Sequence, residues 1–250
     1  MGRHEGVKAF VGTSGWQYRD WRGRFYPRGL PTSRWLDHYA GAFPTVEVNA
    51  TFYRLPRRET VETWAATVPK GFVLTLKASR YVTHIRRLRE TGDAIGRMRE
   101  VFGGAGAHLG PVLFQLPPNF EADADLLRSF LGTLPARMRA AFEFRHASWF
   151  TDEVLGVLDR HGAALVHGDR PRTHVEVPSV GGWSYLRFHQ GRSVSPGYRR
   201  SKLADYADTL ADVRPREAFA YFNNDTGGAA PRDAATFIEL LADRRVDLAA

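Results

Sequence analysis

Seven short apolar runs in this 250-residue chain end in two positions, two residues apart, of which at least one is polar. That spacing places both side chains on one face of a β-strand. The pairs are Glu47 and Asn49, Thr75 and Lys77, Leu113 and Gln115, Glu143 and Arg145, His167 and Asp169, Arg187 and His189, and Tyr221 and Asn223. Each residue type has a chemistry of its own. Lys77 stands in an apolar run of a chain in which only four of the 35 basic residues (Lys and Arg) are lysines. A buried lysine can lower its pKa or form a Schiff base, and arginine can do neither. Glu143 and His189 suit general acid–base work. Arg145 and Arg187 suit a two-pronged grip on a carboxylate or phosphate. Asn49, Gln115 and Asn223 can orient hydroxyl or carbonyl groups.

The same residues have a plainer reading as a buried ion-pair network. Lys77 would then neutralise Glu47 or Glu143, and Glu143 would neutralise Lys77 or Arg145. Glu47, Glu143, Asp169 and His189 could also gather round a metal, but no local ligand spacing supports one, so neither metal nor cofactor is assigned. With no cysteine, thiolate chemistry, disulfides and Cys-based metal sites are excluded. The loop Trp16-Gln17-Tyr18-Arg19-Asp20-Trp21, with Phe25 and Tyr26, could stack on a sugar or base, or simply pack.

The elements that must position these side chains follow from the runs themselves: Ala9–Thr13, Thr45–Asn49, Phe72–Lys77, Pro111–Leu116, Ala140–Arg145, Ala163–His167, Trp183–His189 and Ala218–Asn223. Helix signals lie between most of them. Thr32-Ser33 precedes Arg34–Ala42; Thr151-Asp152 precedes Glu153–His161, with Gly162 as the stop. Leu126, Leu127, Phe130, Leu131 and Leu134, and again Phe237, Leu240 and Leu241, recur at helical spacing. Strand then helix, repeated about eight times, predicts a single (β/α)8 TIM barrel over residues 1–250, with an open doubly wound sheet as the alternative. The sixth unit is irregular, because Pro171–Gly182 is polar and contains Pro and Gly. The connection from Thr13 to Pro31 is a long aromatic loop. Gly103-Gly104-Ala105-Gly106 follows a helix pattern and is not a dinucleotide fingerprint. In a closed barrel the outer face is apolar, so the polar set points inward near the carboxyl ends of the strands, where barrel active sites form.

Composition bounds the partners. No apolar run approaches the ~20 residues of a membrane span, and the amino end lacks a signal peptide's apolar stretch, so a cytoplasmic protein is expected. A net charge of +8 admits nucleic acid as a partner, although a general preference for arginine gives the same charge. A small anionic or sugar-like ligand is the favoured partner; oligomeric state is unassigned.

Several motifs together resemble the YecE-like family, also catalogued as domain of unknown function seventy-two. They are Val11-Gly12-Thr13-Ser14-Gly15-Trp16 with Tyr18 and Trp21, then Phe25-Tyr26-Pro27, Glu47-Val48-Asn49 and Thr51-Phe52-Tyr53. Lys77-Ala78 with Thr83-His84, Leu113 to Pro118, Glu143-Phe144-Arg145-His146 with Ser148-Trp149, Arg187-Phe188-His189 and Asn223-Asn224 complete the set. The resemblance implies a TIM barrel and supplies no reaction. It adds Trp16, Tyr18, Tyr53, His84, His146, Trp149 and Asn224 to the expected substrate-binding set of Glu47, Asn49, Gln115, Arg145, Asp169, Arg187 and Asn223. Lys77, Glu143 and His189 are the expected catalytic groups. Acid–base chemistry on a phosphate-, carboxylate- or sugar-bearing substrate is the favoured activity; a nuclease or nucleic-acid repair protein, or a non-catalytic metabolite-binding barrel, are the alternatives.

Overall fold

The computed structural model describes residues 7–169, 180–189 and 197–249. Each expected apolar run forms a strand: β1 (Lys8–Ser14), β2 (Thr45–Val48), β3 (Val73–Lys77), β4 (Leu109–Gln115), β5 (Ala140–Glu143), β6 (Ala164–Gly168), β7 (Ser184–Phe188) and β8 (Glu217–Phe222). Neighbours in sequence pair in parallel, and β1 bonds to both β2 and β8, so the sheet closes into a barrel. The open-sheet alternative is thereby excluded. A short β9 (Asp247–Leu248), which the sequence pattern does not reveal, pairs with the start of β1. There β2 has not yet begun its own pairing, and Ala249 N–H bonds Ala9 O at 2.9 Å, so β9 satisfies backbone groups that β2 leaves open.

Around the barrel run α1 (Trp35–Ala40), α2 (Ala50–Tyr53), α3 (Arg58–Thr67), α4 (Gly92–Phe102), α5 (Ala124–Thr133), α6 (Asp152–Arg160), α7 (Arg200–Val213) and α8 (Ala229–Asp243). The Thr151 hydroxyl caps α6 by accepting from Val154 N–H, and Gly162 leaves it at a φ of +63°. Of the expected irregular stretch Pro171–Gly182, residues 171–179 lie outside the described residues, and Val180–Gly182 is a single 3-10 turn. Among the described residues no helix is long and apolar enough to cross a membrane.

Strand alternation divides the core in two. Outward side chains such as Val46, Leu74, Leu76, Phe114, Phe142, Phe188 and Phe222 are buried under the helices. Inside, Phe10, Leu113, Ala141, Ala164, Val166, Tyr185, Phe219 and Tyr221 form a separate apolar cluster. At Gly12 a Cβ would lie 2.1 Å from Thr45 O, so only glycine allows β1 to approach β2 this closely. Alternation in β6 corrects one expectation. Ala164 and Val166 take the inner positions, so His167 faces out, its ring 5.7 Å from that of Tyr206 on α7.

The long loop after β1 is fixed by packing. Trp21 is fully buried and its indole N–H reaches Asp225 O at 2.9 Å, tying this loop to the one after β8. Tyr26 stacks on Trp35 at 4.5 Å and donates its hydroxyl to Trp16 O.

Candidate active site

Above the inner apolar cluster the barrel carries a polar floor. Tyr221 on β8 places its hydroxyl 2.8 Å from Thr45 Oγ1 and 2.6 Å from Thr75 Oγ1. Tyr185 on β7 donates to Glu47 Oε2 at 2.5 Å, and Ser14 donates to Glu47 Oε1 at 2.7 Å. Burial, followed by the Glu47 charge, pushes the Tyr185 phenol well up, so it stays a donor. Burial also raises Tyr221.

The next layer is ionic. Arg187, only 2 % exposed, directs Nε and Nη2 to Glu47 Oε1 at 3.2 and 2.6 Å and donates Nη1 to Glu143 Oε2. One guanidinium thus bridges carboxylates from β2 and β5, an arrangement suited to its planar fork. Burial alone would raise the Glu143 carboxyl, but Arg187, then His189 and Arg145, and the Gln115 amide hold it well below the usual range. Glu143 is therefore a fixed anion. It accepts 2.8 Å from Gln115 Nε2 and 3.1 Å from Arg145 Nε.

The mouth lies beyond. Lys77 ends β3 and is 6 % exposed; its Nζ donates to Gln115 Oε1 at 3.1 Å and sits 4.3 Å from the centre of the Phe52 ring. No carboxylate among the described residues lies within ion-pair distance of it. Burial, aided by Arg187 and Arg145 and opposed by Glu47 and Glu143, lowers this amine to about 8. Half-buried Arg145 bonds Glu143 only through Nε, leaving Nη1 and Nη2 without a bond to any described residue.

Two histidines complete the mouth. The His189 ring has Nδ1 3.0 Å from Asn223 Nδ2, and Nε2 3.3 Å from Arg187 Nη1 and 3.7 Å from Glu143 Oε1. Asp169 accepts from His189 N–H at 2.9 Å and from the Tyr198 hydroxyl, so it anchors this strand end. His84 lies in a π-helical turn, Tyr81–Ile85, and packs edge-on against Phe52 at 5.0 Å. Thr83 Oγ1 lies 3.3 Å from Ser79 O, to which it donates, and 3.0 Å from His84 Nδ1. Burial, then Lys77 and Arg145, lowers the His84 pKa.

The structure thus brings Lys77, Glu143, His189, Glu47, Gln115, Arg145, Arg187 and Asn223 together, with His84 beside them. Asn49 lies one residue past β2, half-buried, with no hydrogen bond to its Oδ1 from any described residue. Other expected substrate-binding residues are placed elsewhere by packing. Trp149 is fully buried, stacks on Phe144 at 4.6 Å and donates its indole N–H to Phe120 O at 2.6 Å. His146 caps the same turn, its Nδ1 accepting from Ser148 N–H. Trp16 is buried edge-on to Trp64. Tyr18 stays beside the site: its hydroxyl donates to Ser14 O at 2.6 Å, and burial, then the Asp225 and Glu47 charges, raise its pKa. Buried Asn224 donates to Asp233 at 2.6 Å, whereas Tyr53 is 74 % exposed. Arg187 is corrected from ligand clamp to carboxylate bridge, since all three of its nitrogens are engaged by Glu47 and Glu143. Sequence reasoning gave no role to Tyr185, although it shares the face of Arg187 two residues later; Ser14 and Phe52 stood in the family motifs, but nothing there showed that Ser14 meets Glu47 or that Phe52 packs on Lys77. Among the described residues no group of three or more His, Cys, Asp or Glu is arranged to hold a metal.

Comparison with known proteins gives the same picture of the fold. A family model described as "Protein of unknown function DUF72" matches residues 10–250. The UPF0759 protein YunF of Bacillus subtilis (strain 168) is 26% identical over 286 aligned positions, spanning 96% of this chain and 99% of that protein. The crystal structure of a DUF72 family protein from Thermotoga maritima MSB8 superposes with a TM-score of 0.84 at 25% identity, covering 94% of this chain and 99% of that one. One from Enterococcus faecalis V583 shares the fold with a TM-score of 0.79 at 20% identity, over 94% and 95% of the two chains.

Proposed function

Because this chain belongs to the DUF72 family, whose description carries no reaction, we propose its function from the site's own geometry: an enzyme performing acid–base chemistry on a small anionic substrate at the barrel mouth. One observation carries this reading. Lys77 Nζ, buried at the mouth, is held by a neutral amide, while both nearby carboxylates are engaged by Arg187. An amine kept only to balance charge would sit against a carboxylate. An amine near pKa 8 can instead exchange a proton close to neutral pH.

The roles follow from what each group still has to offer. Lys77 transfers the proton. The Arg145 Nη nitrogens bind a carboxylate or phosphate of the substrate, with His189 and Asn223 beside it. Glu143 and Arg187 act beneath as a rigid, opposed pair of charges that hold Gln115 and Arg145 in place. Sugar phosphates and small hydroxy or keto acids are substrate classes that fit such a mouth.

The test is conversion of a panel of such anions by the purified protein, followed by proton NMR, with Lys77→Met and Arg145→Met alongside. Wild type is expected to convert at least one class, with a rate falling below pH 8. Turnover that survives Lys77→Met unchanged would contradict the assignment.

A further inference from the structure

We propose that Lys77 captures a carbonyl-bearing anion covalently, as an imine, with the anionic group of that compound lying against the Nη nitrogens of Arg145. This rests on the reading of the mouth as an anion-binding active site and narrows its substrate to an aldehyde or ketone that also carries a carboxylate or phosphate.

The geometry around the amine points to it. Phe52 walls one side of Nζ at 4.3 Å, and Gln115 Oε1 takes one of its hydrogens at 3.1 Å. The remaining positions on nitrogen are without a protein partner among the described residues and lie at the carboxyl end of β3, where a barrel receives its substrate. An uncommitted lone pair is what attack on a carbonyl carbon requires, and a lysine locked to a carboxylate does not have one. Proton transfer alone could be served by an imidazole such as His84, which packs edge-on against Phe52. Only nucleophilic capture singles out a primary amine.

The step balances without any further reactant. The ammonium gives up a proton, for which we assign His84, within electrostatic reach of Lys77, as the acceptor. The nitrogen lone pair then forms a C–N bond to the carbonyl carbon as the C=O π pair moves to oxygen. That oxygen takes up protons, from the nitrogen and from His84, and leaves as water, giving a protonated imine. In sum, ammonium plus carbonyl gives iminium plus water. The positive charge that results is favoured by Glu47 and Glu143, both part of the electrostatic surroundings of Lys77. An electron-withdrawing iminium would acidify the adjacent carbon, so capture and acid–base chemistry form one sequence at one site.

Reductive trapping tests this on the intact protein. Glyoxylate and dihydroxyacetone phosphate serve as anionic carbonyl probes, and glycolaldehyde as an uncharged one, each with cyanoborohydride at pH 7.5. Peptide mass spectrometry then compares Lys77 with Lys8, Lys70 and Lys202. At that pH an amine near 8 holds roughly two-hundredfold more free base than an ordinary lysine. The expected result is a reduced adduct concentrated on Lys77 for an anionic probe, even though Lys77 is buried. Lys77→Arg, which keeps the charge and cannot form an imine, should lose the adduct while keeping its circular dichroism. Arg145→Met should weaken trapping of the anionic probes about tenfold relative to glycolaldehyde, the loss of one charged contact; the ratio cancels any change in the Lys77 free-amine fraction, which Arg145 also influences. Labelling spread over the four lysines according to exposure would overturn the proposal. If no adduct forms on Lys77 while turnover of another anion still depends on it, the imine falls and the acid–base reading stands. If Lys77→Arg leaves turnover intact, both fall.

Discussion

Lys77 and Glu143 meet only through the amide of Gln115, whose Oε1 lies 3.1 Å from the lysine amine and whose Nε2 lies 2.8 Å from the carboxylate. The amide keeps the two charges from collapsing into an ion pair. Gln115→Glu should replace the neutral acceptor with a carboxylate and favour the ammonium. The Lys77 pKa would then rise from about 8 toward the ordinary lysine value of 10.5. Free amine at pH 7.5 would drop, and with it any reaction that uses it. The rate of trace acetylation at Lys77, followed against pH, measures the shift; an unchanged midpoint contradicts it.

A lowered lysine pKa is also a statement about stability. The folded protein holds this proton less tightly than the unfolded chain does. Stability from this group is therefore fully present above pH 10.5 and lost as pH falls through about 8. The gap of the two values corresponds to about 3 kcal/mol at neutral pH, before lost packing is counted. Lys77→Met is thus expected to be more stable than wild type at pH 7, with the advantage shrinking as pH rises from about 8 to 10.5. Urea titrations at pH 7 and pH 10.5 check this; a difference that does not change with pH would be the wrong result.

Arg187 holds two carboxylates apart in a place water hardly reaches. Arg187→Met leaves Glu47 and Glu143 buried without their common cation and should destabilise by roughly 3–5 kcal/mol. Adding Glu47→Gln to that variant should recover part of the loss, because one orphaned charge is removed. Thermal melts of the single and double variants decide it, and equal melting temperatures for the two would argue against the bridge.

Trp149 and Trp16 are expected to matter for folding rather than for ligand affinity. Trp149→Phe keeps most of the stack on Phe144 but removes the indole N–H that reaches Phe120 O. A loss of about 1 kcal/mol is expected for that bond, with anion affinity unchanged. Affinity by calorimetry alongside the melt separates the two effects.

The net charge of +8 is expected to give no tight nucleic-acid binding. Many surface arginines already face acids, as in Arg34 with Asp37, Arg58 with Glu62, Arg200 with Glu239 and Arg244 with Asp208. Retention on immobilised DNA should vanish at about 0.15 M salt; binding that persists there, with a steep salt slope, would reopen the nucleic-acid reading.

Strand alternation made much of this legible beforehand. Period-two spacing placed Glu47, Lys77, Gln115, Glu143 and Arg187 on one inner face, because β-strand side chains have only two directions to choose between. The same rule misplaced His167, since β6 turns its small Ala164 and bulky Val166 inward. What alternation cannot supply is partnership across the barrel. Nothing in the order of residues says that Arg187 reaches Glu47 and Glu143 together, or that Lys77 is met by Phe52 and an amide. Motif resemblance singled out Trp149 and Asn224 without distinguishing a residue that touches a ligand from one that braces the wall behind it.

The most direct measurement is the titration of the Lys77 amine itself, by competitive acetylation of the native protein from pH 6 to 11 with Lys8, Lys70 and Lys202 as internal references. A midpoint near 8 for Lys77 is the predicted result. A midpoint at or above 10 would mean that Lys77 is a plain charge in a buried network, and the case for a lysine-driven active site would be lost.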